Sequence, residues 1–190
     1  MIVMAVDQSS TRSGIVIAEY SLEDDDWKVA EYLNYSPKGK TFDERMINLC
    51  DYIGSKLEQI KVDILVIEDV YKLRNTNTLI KLSNLQGALK ELANVCDVKI
   101  EVVHPSQWRK ILNTKHKHRE QLKTDSKQFV FDKFGLEVND DLADAFCILT
   151  YYFDNIFQEK WIIYNIKNER IDKYENWITS YFRSIRRKRR

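Results

Sequence analysis

At 190 residues and 44% hydrophobic content, the chain is long enough for one domain with a full core and too apolar to be disordered. No apolar run approaches the roughly 20 residues of a membrane helix, and the apolar N-terminal stretch has no basic segment before it, so it reads as a strand and not a signal peptide. The formal net charge of +1 hides a segregation: the last ten residues, YFRSIRRKRR, hold six Lys or Arg, Ile111 to Lys123 is also basic, and acids gather at Glu23 to Asp26. Three cysteines, Cys50, Cys96 and Cys147, give no disulfide framework and read as buried thiols of a cytoplasmic protein.

In chain order, Ile2 to Asp7 and Gly14 to Glu19 read as paired strands, and Trp27 to Tyr35 alternates as an edge strand does. Thr41 with Glu44 three residues on is a capping box. The helix it opens carries Met46, Leu49, Ile53, Leu57 and Ile60 on one face. Ile64 to Ile67 is a fully apolar strand that ends in Glu68, the pattern of a central parallel strand covered on both sides. Leu79, Leu82, Leu85, Leu89 and Leu92 stripe a second helix, Val98 to Val103 is another strand, and Pro105 starts a short helix through Leu112. After the basic loop, a helix carrying Phe129, Val130 and Phe134 stops at Gly135, and DDLADAFCILTYYF forms a final core helix. This order predicts an α/β fold with a mixed five-stranded sheet and helices on both faces, over residues 1–153. Residues 154–190 form a helical extension with a basic tail, expected to belong to the same structural unit.

Three acidic features stand out by position. Asp7 ends the first strand and Glu68 ends a central one. Asp141 and Asp144, three apart at the start of an apolar helix, share one helix face. Parallel neighbours in an open sheet end at the same edge, so Asp7 and Glu68 are expected side by side with the helix acids facing them. Four packed carboxylates repel one another, and divalent cations relieve that repulsion. Hard oxygen ligands suit Mg²⁺ or Mn²⁺, and a pair of such ions suits phosphodiester cleavage, one serving the attacking water and the other the leaving 3′ oxygen. Each acid also has a structural reading of its own: a strand-end Asp bonds its own turn, and a first-turn Asp caps a helix or complements its dipole. Asp140 fits either a cap or a ligand. Asp69 points away from Glu68 if the strand continues.

The blocks VDQSSTRSGIVI, LVIEDVY and DDLADAFCI, in this order and spacing, resemble those of RuvC-type Holliday junction resolvases within the RNase H-like nucleases. The short blocks and few glycines are most similar to a bacteriophage branch. The resemblance implies an RNase H-like fold, a homodimer, Mg²⁺ with Mn²⁺ able to substitute, two ions per site, and paired nicking of four-way DNA junctions that leaves 5′-phosphates and 3′-hydroxyls. It implies a cytoplasmic location, that of the host bacterium for a phage protein, with no membrane or nucleotide cofactor. By position it makes Asp7, Glu68, Asp141 and Asp144 the metal-binding catalytic acids and Lys123 a catalytic-region lysine. Tyr71 falls where an aromatic stacks on opened junction bases; its alternative is packing at a strand end. Arg109 falls near a second basic position. Arg74, Lys115, Lys117, Arg119, Arg186, Arg187 and Lys188 are the remaining candidate DNA contacts. The turn QSSTRSG departs from the proline and glycine of cellular members.

Other readings fit less well. DQSSTRSG also resembles the first phosphate loop of actin-like sugar kinases and ATPases, but those need two such domains and a second glycine-rich loop, and this chain has five glycines with no suitable cluster. Gly39 to Thr41 reads GKT, yet Asn34 stands where a P-loop needs its first glycine. A junction-binding protein with a decayed site conflicts with the presence of all four acids. His116 and His118 have no third ligand nearby and read as DNA-facing loop residues. A branched-DNA or flap nuclease on the same scaffold remains open.

Overall fold

The structure, a computed structural model, describes residues 1–71, 75–116 and 118–158. The chain divides into two units, Met1–Tyr152 and Phe153–Arg190. The first contains β1 (Ile2–Asp7), β2 (Ser13–Ser21), β3 (Asp26–Tyr35), α1 (Phe42–Gln59), β4 (Ile64–Glu68), α2 (Thr76–Val95), β5 (Lys99–Val103), α3 (Pro105–Trp108) with a 3₁₀ turn (Arg109–Leu112), α4 (Arg119–Phe134) and α5 (Asp140–Tyr151). In the described part of the second unit, the Phe153 and Phe157 rings meet edge to face with centroids 5.8 Å apart. The rest of the expected helical extension lies outside the described residues. Among the described residues, no helix is long and apolar enough to cross a membrane.

The sheet order is β3-β2-β1-β4-β5. The β1–β2 and β2–β3 pairs are antiparallel, while β1–β4 and β4–β5 are parallel. β3 is an edge strand, and its burial alternates residue by residue as its sequence does. β1 and β4 are central and lack polar interruptions because both their faces are covered.

Strand alternation decides which side chains go where. Met4 and Val6 of β1 and Leu65 and Ile67 of β4 join Leu49, Ile53 and Leu57 of α1 and Leu85, Leu89 and Ala93 of α2 in one core. Val3, Ala5 and Val66 therefore face the other side, where Phe146 of α5 meets Tyr32 of β3 and Phe134 of α4 at centroid distances of 5.5 and 5.0 Å. Asp7 and Glu68, each two residues further along, lie on this same α5 side.

The helix boundaries have local causes. The Thr41–Glu44 capping box is formed at α1 in both directions. Gly135 ends α4 with φ +69°, which glycine adopts at little cost. The cap of α5 is Asn139, whose side-chain oxygen accepts from the Leu142 amide at 3.1 Å; Asp140, the alternative cap, is the first helical residue. In α2 only the middle of the leucine stripe, Leu85 and Leu89, is fully buried, with Leu79, Leu82 and Leu92 half-buried. Of the three free thiols, Cys147 is buried and Cys50 and Cys96 are partly exposed.

Candidate active site

The β1–β4 ladder runs in parallel register to Val6 and Ile67, which makes Asp7 and Glu68 the next residues in line. The side chain of Gln8 locks this end of the ladder. Its amide nitrogen donates to the Glu68 carbonyl at 2.5 Å, and its oxygen accepts from the Glu68 amide at 3.1 Å. Gln86 of α2 donates to the same carbonyl at 3.3 Å and to the Asp69 carboxylate at 3.0 Å. Asp69 thus turns to the opposite face from Glu68, as alternation requires. Neither glutamine stands out in the sequence; each is a buried amide whose partners are far away in the chain.

α5 brings the second pair of acids. Its approach depends on Gly14, the register partner of Asp7 on β2. A Cβ at Gly14 would lie 2.0 Å from the carbonyl oxygen of Asp141, so only glycine lets the start of α5 press against the sheet here. Asp144, one turn on from Asp141, is linked to the buried hydroxyl of Ser126 in α4.

The electrostatics record the crowding. Burial, then repulsion from Glu68, Asp144 and Asp141, raises Asp7 well above the ordinary carboxylate range, although part of its surface stays open to solvent. Burial also raises Glu68, against the stabilising Trp108 hydrogen bond and the Arg109 charge. Asp144 is pushed up to about 6, chiefly by burial, with Asp140 and Asp141 adding and Ser126 and Arg109 opposing. Three acids thus share too little positive charge.

The cations come from three places. α3 follows β5 directly, with His104 and Gln107 forming a capping box around Pro105. This sets buried Trp108 so that its Nε1 donates to Glu68 Oε1 at 2.8 Å. Arg109 lies over the Trp108 ring at 4.9 Å and reaches 3.8 Å from Glu68 Oε1. Arg12, in the β1–β2 turn, donates through Nε to the Asp141 carboxylate. Lys123 pairs with Asp140 at 3.0 Å, as does Lys127 at 3.1 Å. The lysine hydrogen bonds hold Asp140 below the usual carboxylate range. Lys123 is therefore joined to the acid beside the central four.

Tyr71 is exposed, with its ring edge-on to His104 at 4.8 Å. Lys115 and Arg119 are exposed in the basic loop and at the start of α4. His116 Nδ1 bonds Asp125 at 2.8 Å and so ties that loop to α4. Arg74, Lys117, Arg186, Arg187 and Lys188 lie outside the described residues.

Among the described residues, no three His, Cys, Asp or Glu side chains stand close enough together to hold an ion as placed. The donor chemistry nevertheless fits a hard divalent cation: oxygen ligands only, crowded and short of countercharge. Asp141 is engaged by Arg12, and Glu68 by Trp108 and Arg109, so an entering ion has partners to displace.

A family model, crossover junction endodeoxyribonuclease RuvC, matches residues 3–149. Similar solved structures include Thermus thermophilus RuvC in complex with Holliday junction substrate, at 17% identity and TM-score 0.64, covering 80% of this chain and 94% of that one. The fowlpox virus resolvase in complex with substrate Holliday junction DNA matches at 16% identity and TM-score 0.57, covering 82% and 99%. The yeast mitochondrial Holliday junction resolvase matches at 16% identity and TM-score 0.55, covering 80% and 77%. No curated protein matches. At such identities the structural likeness establishes the RNase H-like fold, and the family model, which spans most of the chain, establishes the family. The chain belongs to the RuvC family of crossover junction endodeoxyribonucleases.

Proposed function

We propose that this protein is a metal-dependent, structure-specific DNA endonuclease that resolves four-way junctions by paired nicking and leaves 5′-phosphate and 3′-hydroxyl ends. One observation carries the reading: Asp7 and Glu68 end neighbouring parallel strands on the face that Asp141 and Asp144 approach from α5. The similar RuvC and fowlpox virus structures hold Holliday junction substrate, which supports the same class of partner here.

Asp7, Glu68, Asp141 and Asp144 would hold the cations, Mg²⁺ or Mn²⁺ and two per site, whose Lewis acidity supplies water activation and charge neutralisation in phosphodiester hydrolysis. The chain's own residues do the positioning. Gln8 holds the strand ends in register, Trp108 orients the Glu68 carboxylate, and Ser126 orients Asp144. Arg109 and Lys123 offer phosphate contacts at the rim, needing charge and no special geometry. Tyr71, exposed beside Glu68's strand end, is available to stack on an unpaired base. Lys115, Arg119 and the C-terminal basic residues would add contacts to the DNA arms, with the protein acting as a homodimer that nicks both strands.

The test is cleavage of synthetic four-way, three-way, flap and linear DNA in Mg²⁺ and in Mn²⁺. Turnover confined to the four-way form, with paired nicks, is the expected result. Equal turnover on all branched forms would replace junction resolution with general debranching, and no cleavage of any DNA would remove the nuclease reading.

A further inference from the structure

The turn that departs from the cellular pattern holds a positive charge against Asp141, on the solvent side of the acid cluster. Its path is fixed by its own side chains. Ser13, fully buried, accepts from the Ser9 amide at 2.9 Å and donates to the Ser9 carbonyl at 2.9 Å. Arg45 of α1 donates to the Ser10 carbonyl at 2.9 Å and ties the turn down from outside. Gly14 itself lies against the backbone of Asp141 and Leu142. Arg12 lies between these fixed points, so its guanidinium is delivered to Asp141 and not left free in solvent.

We propose that Arg12 is a built-in competitor for the divalent cation: it neutralises Asp141 in the metal-free protein and sets the concentration at which an ion enters. The proposal rests on the metal-binding reading above. A guanidinium stays charged at every accessible pH, so it leaves the carboxylate only by displacement. Asp141 needs a countercharge in the resting state, since α5 brings it to the strand ends that carry Asp7 and Glu68, one helical turn from Asp144. Arg12 is half-exposed, with 49% of its side-chain surface open, so water is ready to take it over when it is released. Arg109 differs: it rests on the buried Trp108 ring and stands 3.8 Å from Glu68. The two are similarly exposed, at 49% and 41%, so what separates them is the Trp108 ring, which holds Arg109 in place and has no counterpart at Arg12 among the described residues. Ion binding and the Arg12–Asp141 pair then oppose each other through a coupling free energy, and removing one strengthens the other.

The test uses full-length protein without DNA and reads Mn²⁺ binding by calorimetry, with the rise in melting temperature on adding Mg²⁺ as a second readout. Arg12→Gln is expected to lower the half-saturating Mn²⁺ concentration by about fivefold, the low end of typical couplings. The same variant should melt lower without metal and gain more from Mg²⁺ than the parent. Arg12→Lys, which restores the charge, should return affinity toward the parent value. Lys28→Gln removes an equal charge at the far end of the β2–β3 hairpin, and its effect should be small. Unchanged or weaker binding in Arg12→Gln, or equal tightening in Arg12→Gln and Lys28→Gln, would overturn the proposal. Absence of Mn²⁺ uptake by the parent itself would overturn the metal reading beneath it.

Discussion

Asp144 shows how burial and charge set the behaviour of a single side chain. Its carboxyl is raised to about 6 in the fold, against an ordinary value near 3.8 in the unfolded chain. A group raised by folding favours the folded state while protonated and loses that contribution as pH rises through its folded value. Asp7 and Glu68 are raised in the same direction. The metal-free protein is therefore expected to lose stability as pH rises from about 4 through about 6 at Asp144, with Asp7 and Glu68 acting in the same direction. Asp144→Asn should stabilise it at pH 8 by about 1–3 kcal/mol, since one pKa unit corresponds to about 1.4 kcal/mol. Thermal denaturation with chelator at pH 5 and pH 8 checks this: the variant should show the smaller pH dependence. An equal fall in both proteins would contradict the electrostatic account. The acids themselves could be read from the sequence because each ends an apolar run or begins an apolar helix. Arg12, Trp108, Gln8 and Gln86 could not, because what matters about each is a partner between 18 and 129 positions away.

At the level of elements, the site exists because three segments meet at one sheet edge. Periodicity located β1, β4 and α5 well, since a two-residue alternation, an unbroken apolar run and a capped apolar helix are local signals. It could not locate their register or the depth at which α5 docks. Gly14 decides that depth. Gly14→Ala would set a methyl group 2.0 Å from the Asp141 carbonyl oxygen, which forces α5 away from β2. The expected cost is about 3 kcal/mol or more, at or above the upper end of ordinary overpacking. Urea denaturation measures the stability loss, and Mg²⁺-dependent nicking should fall further than the folded fraction does. Wild-type stability in this variant would mean that α5 does not dock on Gly14. The pairing of Lys123 with Asp140 was hidden for the same reason: a helix-to-helix contact leaves no trace in the spacing of either helix.

For the whole molecule, net charge is the wrong number and its distribution the right one. The formal charge of +1 suggests no polyanionic partner, yet the chain separates a basic C-terminus from an acidic β2–β3 turn. Deleting residues 183–190 should weaken junction binding and flatten its dependence on salt, because each lost phosphate contact lowers the slope of log affinity against log salt by about 0.9. Fluorescence anisotropy with a labelled junction over a salt series would show it; an unchanged slope would mean the tail does not touch DNA. The fold class was legible in the sequence because strand and helix order alone, three strands and then alternating helices and strands, admits few sheet topologies.

Of the four acids, Asp7 is the one on which the other three all act. Asp7→Asn removes ligand charge while leaving the surface that meets DNA almost unchanged. The most direct measurement compares this variant with the parent on one synthetic four-way junction, reading binding by gel shift with Ca²⁺ and nicking with Mg²⁺. Full binding with nicking lowered by a factor of about 10²–10³ is the predicted result, the range seen when a single group that stabilises transition-state charge is removed. Nicking by Asp7→Asn at the parent rate would show that the strand-end carboxylates are not the catalytic centre.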